Sequence, residues 1–181
     1  MRKTGLGLIC WGIVLVALDY QYQGIDLIPD IIGYVLIVLG FRYLVRMGRE
    51  HPWFVIGLYA SGGSLLVAIA EQILTYLQYA QLFALSDAGF ISIFVLDAVC
   101  FALMGWAVMW GLSLECQANK EPQAARQCKI YGWIFAPVAL ICYVLSKISG
   151  GTLFTVTYMI YILISIGLLM MVKMVQNTLE E

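Results

Sequence analysis

The chain has 181 residues, 62% of them hydrophobic and 12% charged, with a formal net charge of −1. Soluble domains run at about 45–50% apolar and about 25% charged, so this chain carries more apolar surface than a soluble fold of its length can bury. The near-zero charge excludes an overall basic field for nucleic acid, and the apolar excess points to lipid as the solvent.

Six apolar stretches cover residues 5–20, 28–45, 53–79, 90–114, 130–146 and 153–175. Crossing roughly 30 Å of hydrocarbon takes about 20 helical residues at 1.5 Å each. The runs are continuous rather than alternating, which predicts helices and not strands. The expected fold is all-α: one transmembrane domain over residues 1–181, built as a polytopic bundle of about six transmembrane helices.

Arg2 and Lys3 precede the first stretch, as they would in a signal peptide. Val16-Ala17-Leu18-Asp19 offers no small-x-small cleavage site, so a retained helix is expected. Residues 19–30 then carry three acids and no base. Gly24 permits a turn, Asp26 suits the cap of the second helix, Pro29 its first turn, and Asp30 the positive end of its dipole. Gly33 would admit a neighbouring helix at close range. Asp19, Asp26 and Asp30 can also be read as an outward-facing acidic site for a cation or a partner.

The run Asp26-Leu27-Ile28-Pro29-Asp30-Ile31-Ile32-Gly33-Tyr34, directly after a first apolar helix, resembles a motif in uncharacterised small multi-pass membrane proteins of bacteria. The similarity spans about the first 45 residues. It implies residence in a bacterial plasma membrane, and no particular activity.

Arg42, Arg46 and Arg49 close the second stretch at helical spacing, suited to anionic headgroups. His51-Pro52 reads as a helix boundary. In the third stretch Ser61, Ser64, Ala68, Glu71, Thr75 and Gln78 fall on one helical stripe, which belongs in a bundle interior. Gly62 and Gly63 beside it allow close packing or a kink. In the fourth stretch Asp97 shares a mostly apolar stripe with Ile93, Cys100, Met104 and Gly111 and is expected to be the more isolated acid.

Glu71 and Asp97 would lie at similar depth if the third and fourth helices are antiparallel neighbours. An acid at the bilayer centre costs roughly 2.5–3.5 kcal/mol on insertion scales, so both need protonation, water or a partner. Lys147, late in the fifth stretch, is the basic residue able to reach them. Glu71, Asp97, Lys147, Thr75 and Gln78 thus form a candidate intramembrane polar site. It reads either as a paired cluster fixing helix register or as a proton- or cation-responsive site.

The fourth loop carries Lys120, Arg126 and Lys129, with Cys116 and Cys128 among them. Pro137 is expected to kink the fifth helix, residues 149–152 form a tight turn, and Lys173 closes the sixth stretch. Nine of the ten Lys and Arg fall at the two termini and in the second and fourth loops. The positive-inside rule then places both termini in the cytoplasm, which an even number of crossings requires. Trp11, Trp53, Trp106, Trp110 and Trp133 fall in the cytoplasmic halves of their helices, as interfacial anchors do.

The five cysteines, Cys10, Cys100, Cys116, Cys128 and Cys142, form no CxxC, so neither a disulfide nor a metal site is expected. No HExxH, GxSxG, GxxxxGK[ST] or GxGxxG pattern occurs, and no catalytic residue or cofactor is expected. The first functional class is a non-catalytic accessory, assembly or regulatory subunit. The second is a small proton- or cation-linked transporter or channel acting as a homo-oligomer. An intramembrane enzyme ranks last. The expected partners are the bilayer and other membrane proteins or a second copy, not nucleic acid.

Overall fold

The computed structural model describes residues 2–17, 21–22, 25–26, 30–46, 52–80, 87–148 and 151–178. Among the described residues six helices form: α1 (Arg2–Ala17), α2 (Asp30–Arg46), α3 (Pro52–Tyr79), α4 (Asp87–Ala118), α5 (Pro122–Ile148) and α6 (Gly151–Thr178). Between α1 and α2 lie β1 (Gln21–Tyr22) and β2 (Ile25–Asp26).

Four of the helices, α3 to α6, are long and apolar enough to cross a membrane. Less than half of each of these spans is buried against protein, and the rest turns apolar side chains such as Leu66, Leu163 and Met170 outward. A surface of that kind is stable in lipid and not in water. The other two are shorter. With 16 and 17 residues, α1 and α2 rise only about 24–26 Å.

Consecutive helices run antiparallel, and small residues set how closely they approach. On α1, Gly5 and Gly12 stand two turns apart, and on α2 so do Gly33 and Gly40. A Cβ on Gly12 would lie 2.5 Å from the Gly33 carbonyl oxygen, and one on Gly40 would lie 2.7 Å from that of Gly5. The two backbones therefore touch, as foreseen for Gly33. Further round, phenylalanine rings fill the notches that glycines leave: Phe41 at Gly57, Phe54 at Gly111 and Phe135 at Gly105. Between α5 and α6, the Tyr131 hydroxyl donates to the Ile164 carbonyl at 2.6 Å. The Tyr158 hydroxyl on α6 donates to the Ala17 carbonyl at 3.3 Å, which closes the ring of helices back onto α1. The core comprises side chains such as Ile9, Ile37, Phe54, Phe101, Phe135 and Leu168, facing one another inside that ring.

Three local expectations are corrected. First, α2 begins at Asp30, so Asp26 is too far upstream to cap it. Asp26 lies instead in a two-residue antiparallel ladder, paired with Gln21, where no strand was expected.

Second, the expected fourth loop is almost entirely helical. Cys116 and Cys128 are fully buried on α4 and α5, and Arg126 and Lys129 are helical residues. The apolar run ends before the helix does, because Cys116, Ala124, Ala125 and Cys128 still pack inward while Gln117, Gln123 and Arg126 face out. The remaining turn is a tight C-cap. The Glu121 amide donates to the Cys116 carbonyl at 2.8 Å and the Lys120 amide to that of Gln117 at 3.1 Å, a Schellman pair. Lys120 takes the left-handed position of that cap with φ 64°, where glycine is usual.

Third, Gly63 and Gly62 differ. A Cβ on Gly63 would meet the Cys100 sulfur at 3.1 Å, whereas one on Gly62 would meet nothing within 4 Å. Only Gly63 serves close packing.

Candidate functional site

Asp97 sits at the centre of the bundle, only 3% exposed. Its place on α4 beside Phe101 and Met104 puts it on the face turned into the ring. From α2, where Tyr34 shares the buried face with Ile37 and Phe41, the Tyr34 hydroxyl donates to both carboxylate oxygens, at 3.1 Å to Oδ1 and 3.2 Å to Oδ2. From α5, the Tyr143 hydroxyl donates to Oδ2 at 2.8 Å. The donors are 63 and 46 residues away in the chain.

A third tyrosine completes the cluster. Tyr161 on α6 is 2% exposed, with its ring 5.4 Å from that of Tyr143 and 5.4 Å from that of Phe101. Buried Ser64 faces Tyr34 from α3. Tyrosines of two helices thus meet the carboxylate of a third, and residues of α3 and α6 pack against those tyrosines. Hydrogen bonds to a carboxylate are among the stronger ones in proteins, and a buried acid without them would be costly. The expectation that Asp97 is the isolated acid is therefore overturned. Its own helix offers it no polar neighbour on that stripe, but two other helices bring hydroxyls to it.

Glu71 is half-buried on α3 and lies within electrostatic reach of Tyr143. Its stripe divides. Ser61, Ser64 and Ala68 are buried as expected, whereas Thr75 and Gln78 are exposed. The cause is length: α3 has 28 residues and α2 only 17, and α2 starts level with the Ala68–Glu71 turn of its antiparallel neighbour. Beyond that level α3 has no α2 to cover it. Thr75 and Gln78 are accordingly not part of the interior.

Lys147 belongs to α5, but its side chain lies outside the described residues, as does Asp19 altogether. The side chain of Asp26 lies outside them too. Of the three acids of the candidate acidic turn, Asp30 is the one described: half-buried, in the first turn of α2, where its charge complements the helix dipole, and within electrostatic reach of Tyr34.

Tyr34, Tyr143 and Tyr161 were not singled out as site residues by the sequence. A signal did exist for one of them: Tyr161 stands well inside an apolar run, away from the ends where tyrosine anchors at interfaces. A hydroxyl held that deep needs an acceptor.

What the fold and this site define is a class: a helical membrane bundle organised round a buried, tyrosine-bound acid. Comparison with known proteins adds nothing narrower, since no family model, curated protein or solved structure matches the chain.

Proposed function

We propose that this chain is a six-span plasma-membrane protein of bacterial type, with both ends in the cytoplasm, acting as a non-catalytic accessory, assembly or regulatory subunit. The carrying observation is the state of Asp97. Its oxygens are taken up by the hydroxyls of Tyr34 and Tyr143, and the cluster is packed round with buried rings. An acid engaged from two other helices holds those helices in register. α1 and α2 join the spans because their glycine contact fastens them as one unit, which a locally thinned bilayer or flanking side chains can accommodate.

One observation favours a second reading, a small proton- or cation-linked transporter. Half-buried Glu71 stands between exposed Thr75 and Gln78 and the Tyr143–Asp97 pair, which makes a line of polar groups from the end of α3 to the bundle centre. Purified protein reconstituted in liposomes and assayed with pH- and potassium-sensitive dyes separates the two. The subunit reading expects no flux above empty vesicles, with Asp97→Asn and Glu71→Gln indistinguishable from the parent. Flux in the parent that either substitution abolishes would overturn it in favour of transport.

A further inference from the structure

Four of the five tryptophans come together at a single patch. Trp106 and Trp110 from α4 are in ring contact with each other and each with Trp53 from α3 and Trp133 from α5, with centroids 5.4–6.5 Å apart. Trp11, 67% exposed on α1, belongs to none of these contacts. Interfacial anchoring would be served as well by rings spread round the circumference, so their gathering in one place calls for another cause. Gly132 helps to make the patch, since the ring edges of Trp106 and Trp110 lie 3.3 and 3.6 Å from where its Cβ would be.

A further observation points to a ligand. The Lys129 ammonium sits 5.3 Å from the centroid of the Trp110 ring, and among the described residues no carboxylate pairs with it. Trp133 is 62% exposed and Arg126, one turn before Lys129, is exposed too. The site therefore holds a cation without an anion beside an exposed aromatic surface.

Depth adds the orientation. On α5, Arg126 and Lys129 precede Trp133 by two turns and one turn, and on α4 Trp110 lies one turn beyond Trp106. On these two helices the cations thus lie toward the end of the bundle and Trp106 and Trp133 toward its middle, while Trp53, the second residue of α3, stands at the end. A phospholipid presents the complementary order, an anionic phosphodiester and then ester oxygens and chains.

We propose that the Trp53–Trp106–Trp110–Trp133 patch is a binding site for one anionic phospholipid, with its phosphodiester against Lys129 and Arg126 and its glycerol region against the indoles. This inference rests on the chain residing in a bilayer.

The full-length protein, carrying Trp11→Phe so that emission comes from the patch, would be placed in phosphatidylcholine vesicles containing brominated phosphatidylglycerol or brominated phosphatidylcholine. Vesicle flotation checks insertion separately, so loss of the bilayer reading is seen as loss of flotation and not as loss of lipid preference. The expected result is quenching by the brominated anionic lipid well beyond its mole fraction. Lys129→Gln should lower that preference about fivefold, and Lys129→Arg should keep it. Equal quenching by the two brominated lipids would overturn the proposal, as would a preference unchanged in Lys129→Gln. Should Lys129→Gln not insert, Arg126→Gln, an exposed site, is expected to weaken the same preference, and no change there would count against the phosphodiester contact.

Discussion

Tyr143 makes the shortest contact with Asp97, at 2.8 Å, against 3.1 and 3.2 Å for Tyr34. Thermal unfolding in detergent should rank the two. Tyr143→Phe is expected to cost about 1.5–3 kcal/mol, the scale of a hydrogen bond to a charged group, and Tyr34→Phe less. Asp97→Leu alone should be worse than either, because it leaves both buried hydroxyls without an acceptor. Adding Tyr34→Phe and Tyr143→Phe to Asp97→Leu should restore much of the loss, since replacing these donors together with their acceptor removes the unsatisfied hydroxyls with the bonds. A triple variant less stable than Asp97→Leu would mean that the tyrosine hydroxyls serve something other than Asp97. Reading apolar runs hides this site for a simple reason. Tyrosine counts toward the run by its ring, while its hydroxyl seeks an acceptor that another helix supplies.

Among the helices, glycines separate into those that a side chain would strain and those that it would help. A Cβ on Gly33 would meet the Val16 side chain at 2.6 Å and the Gly12 carbonyl at 2.9 Å, and backbone cannot step aside. Gly33→Ala should therefore cost about 1–3 kcal/mol and loosen α1 from α2. Gly62→Ala meets open space on α3, so it should raise the melting temperature, worth about 0.5–1 kcal/mol from helix propensity. The turn between α4 and α5 offers the reverse exchange. Lys120 holds a left-handed φ of 64° that glycine adopts freely, and Lys120→Gly should stabilise by about 1 kcal/mol in the same melting assay. None of these signs follows from residue type alone. The sequence offers Gly62 and Gly63 as equals, and only the neighbour across the interface tells them apart.

Six antiparallel helices return the chain to the end of the bundle from which it started, and the unburied sides of α3 to α6 are apolar. If all six cross the bilayer, epitope tags at the two termini should resist external protease in intact cells and be cut together once the membrane is permeabilised. Tags cleaved from opposite sides would remove the even number of crossings. Much of this scale was legible in the chain as read. An apolar content of 62% and long uninterrupted runs dictate helices in lipid, because backbone amides in hydrocarbon must be satisfied within their own segment. The clustering of Lys and Arg at alternate loops sets an expected orientation, because that rule depends on position along the chain and not on packing.

What only the tertiary structure decided is which side chains meet. The Asp97 cluster joins residues 46 and 63 positions apart, the α4–α5 loop shrinks to a cap because buried Cys116 and Cys128 extend both helices, and Thr75 and Gln78 emerge because α2 is shorter than α3. Each outcome depends on the rotation and end-point of a neighbouring helix. Helix–helix packing sets those, and a stretch of chain read by itself does not contain them.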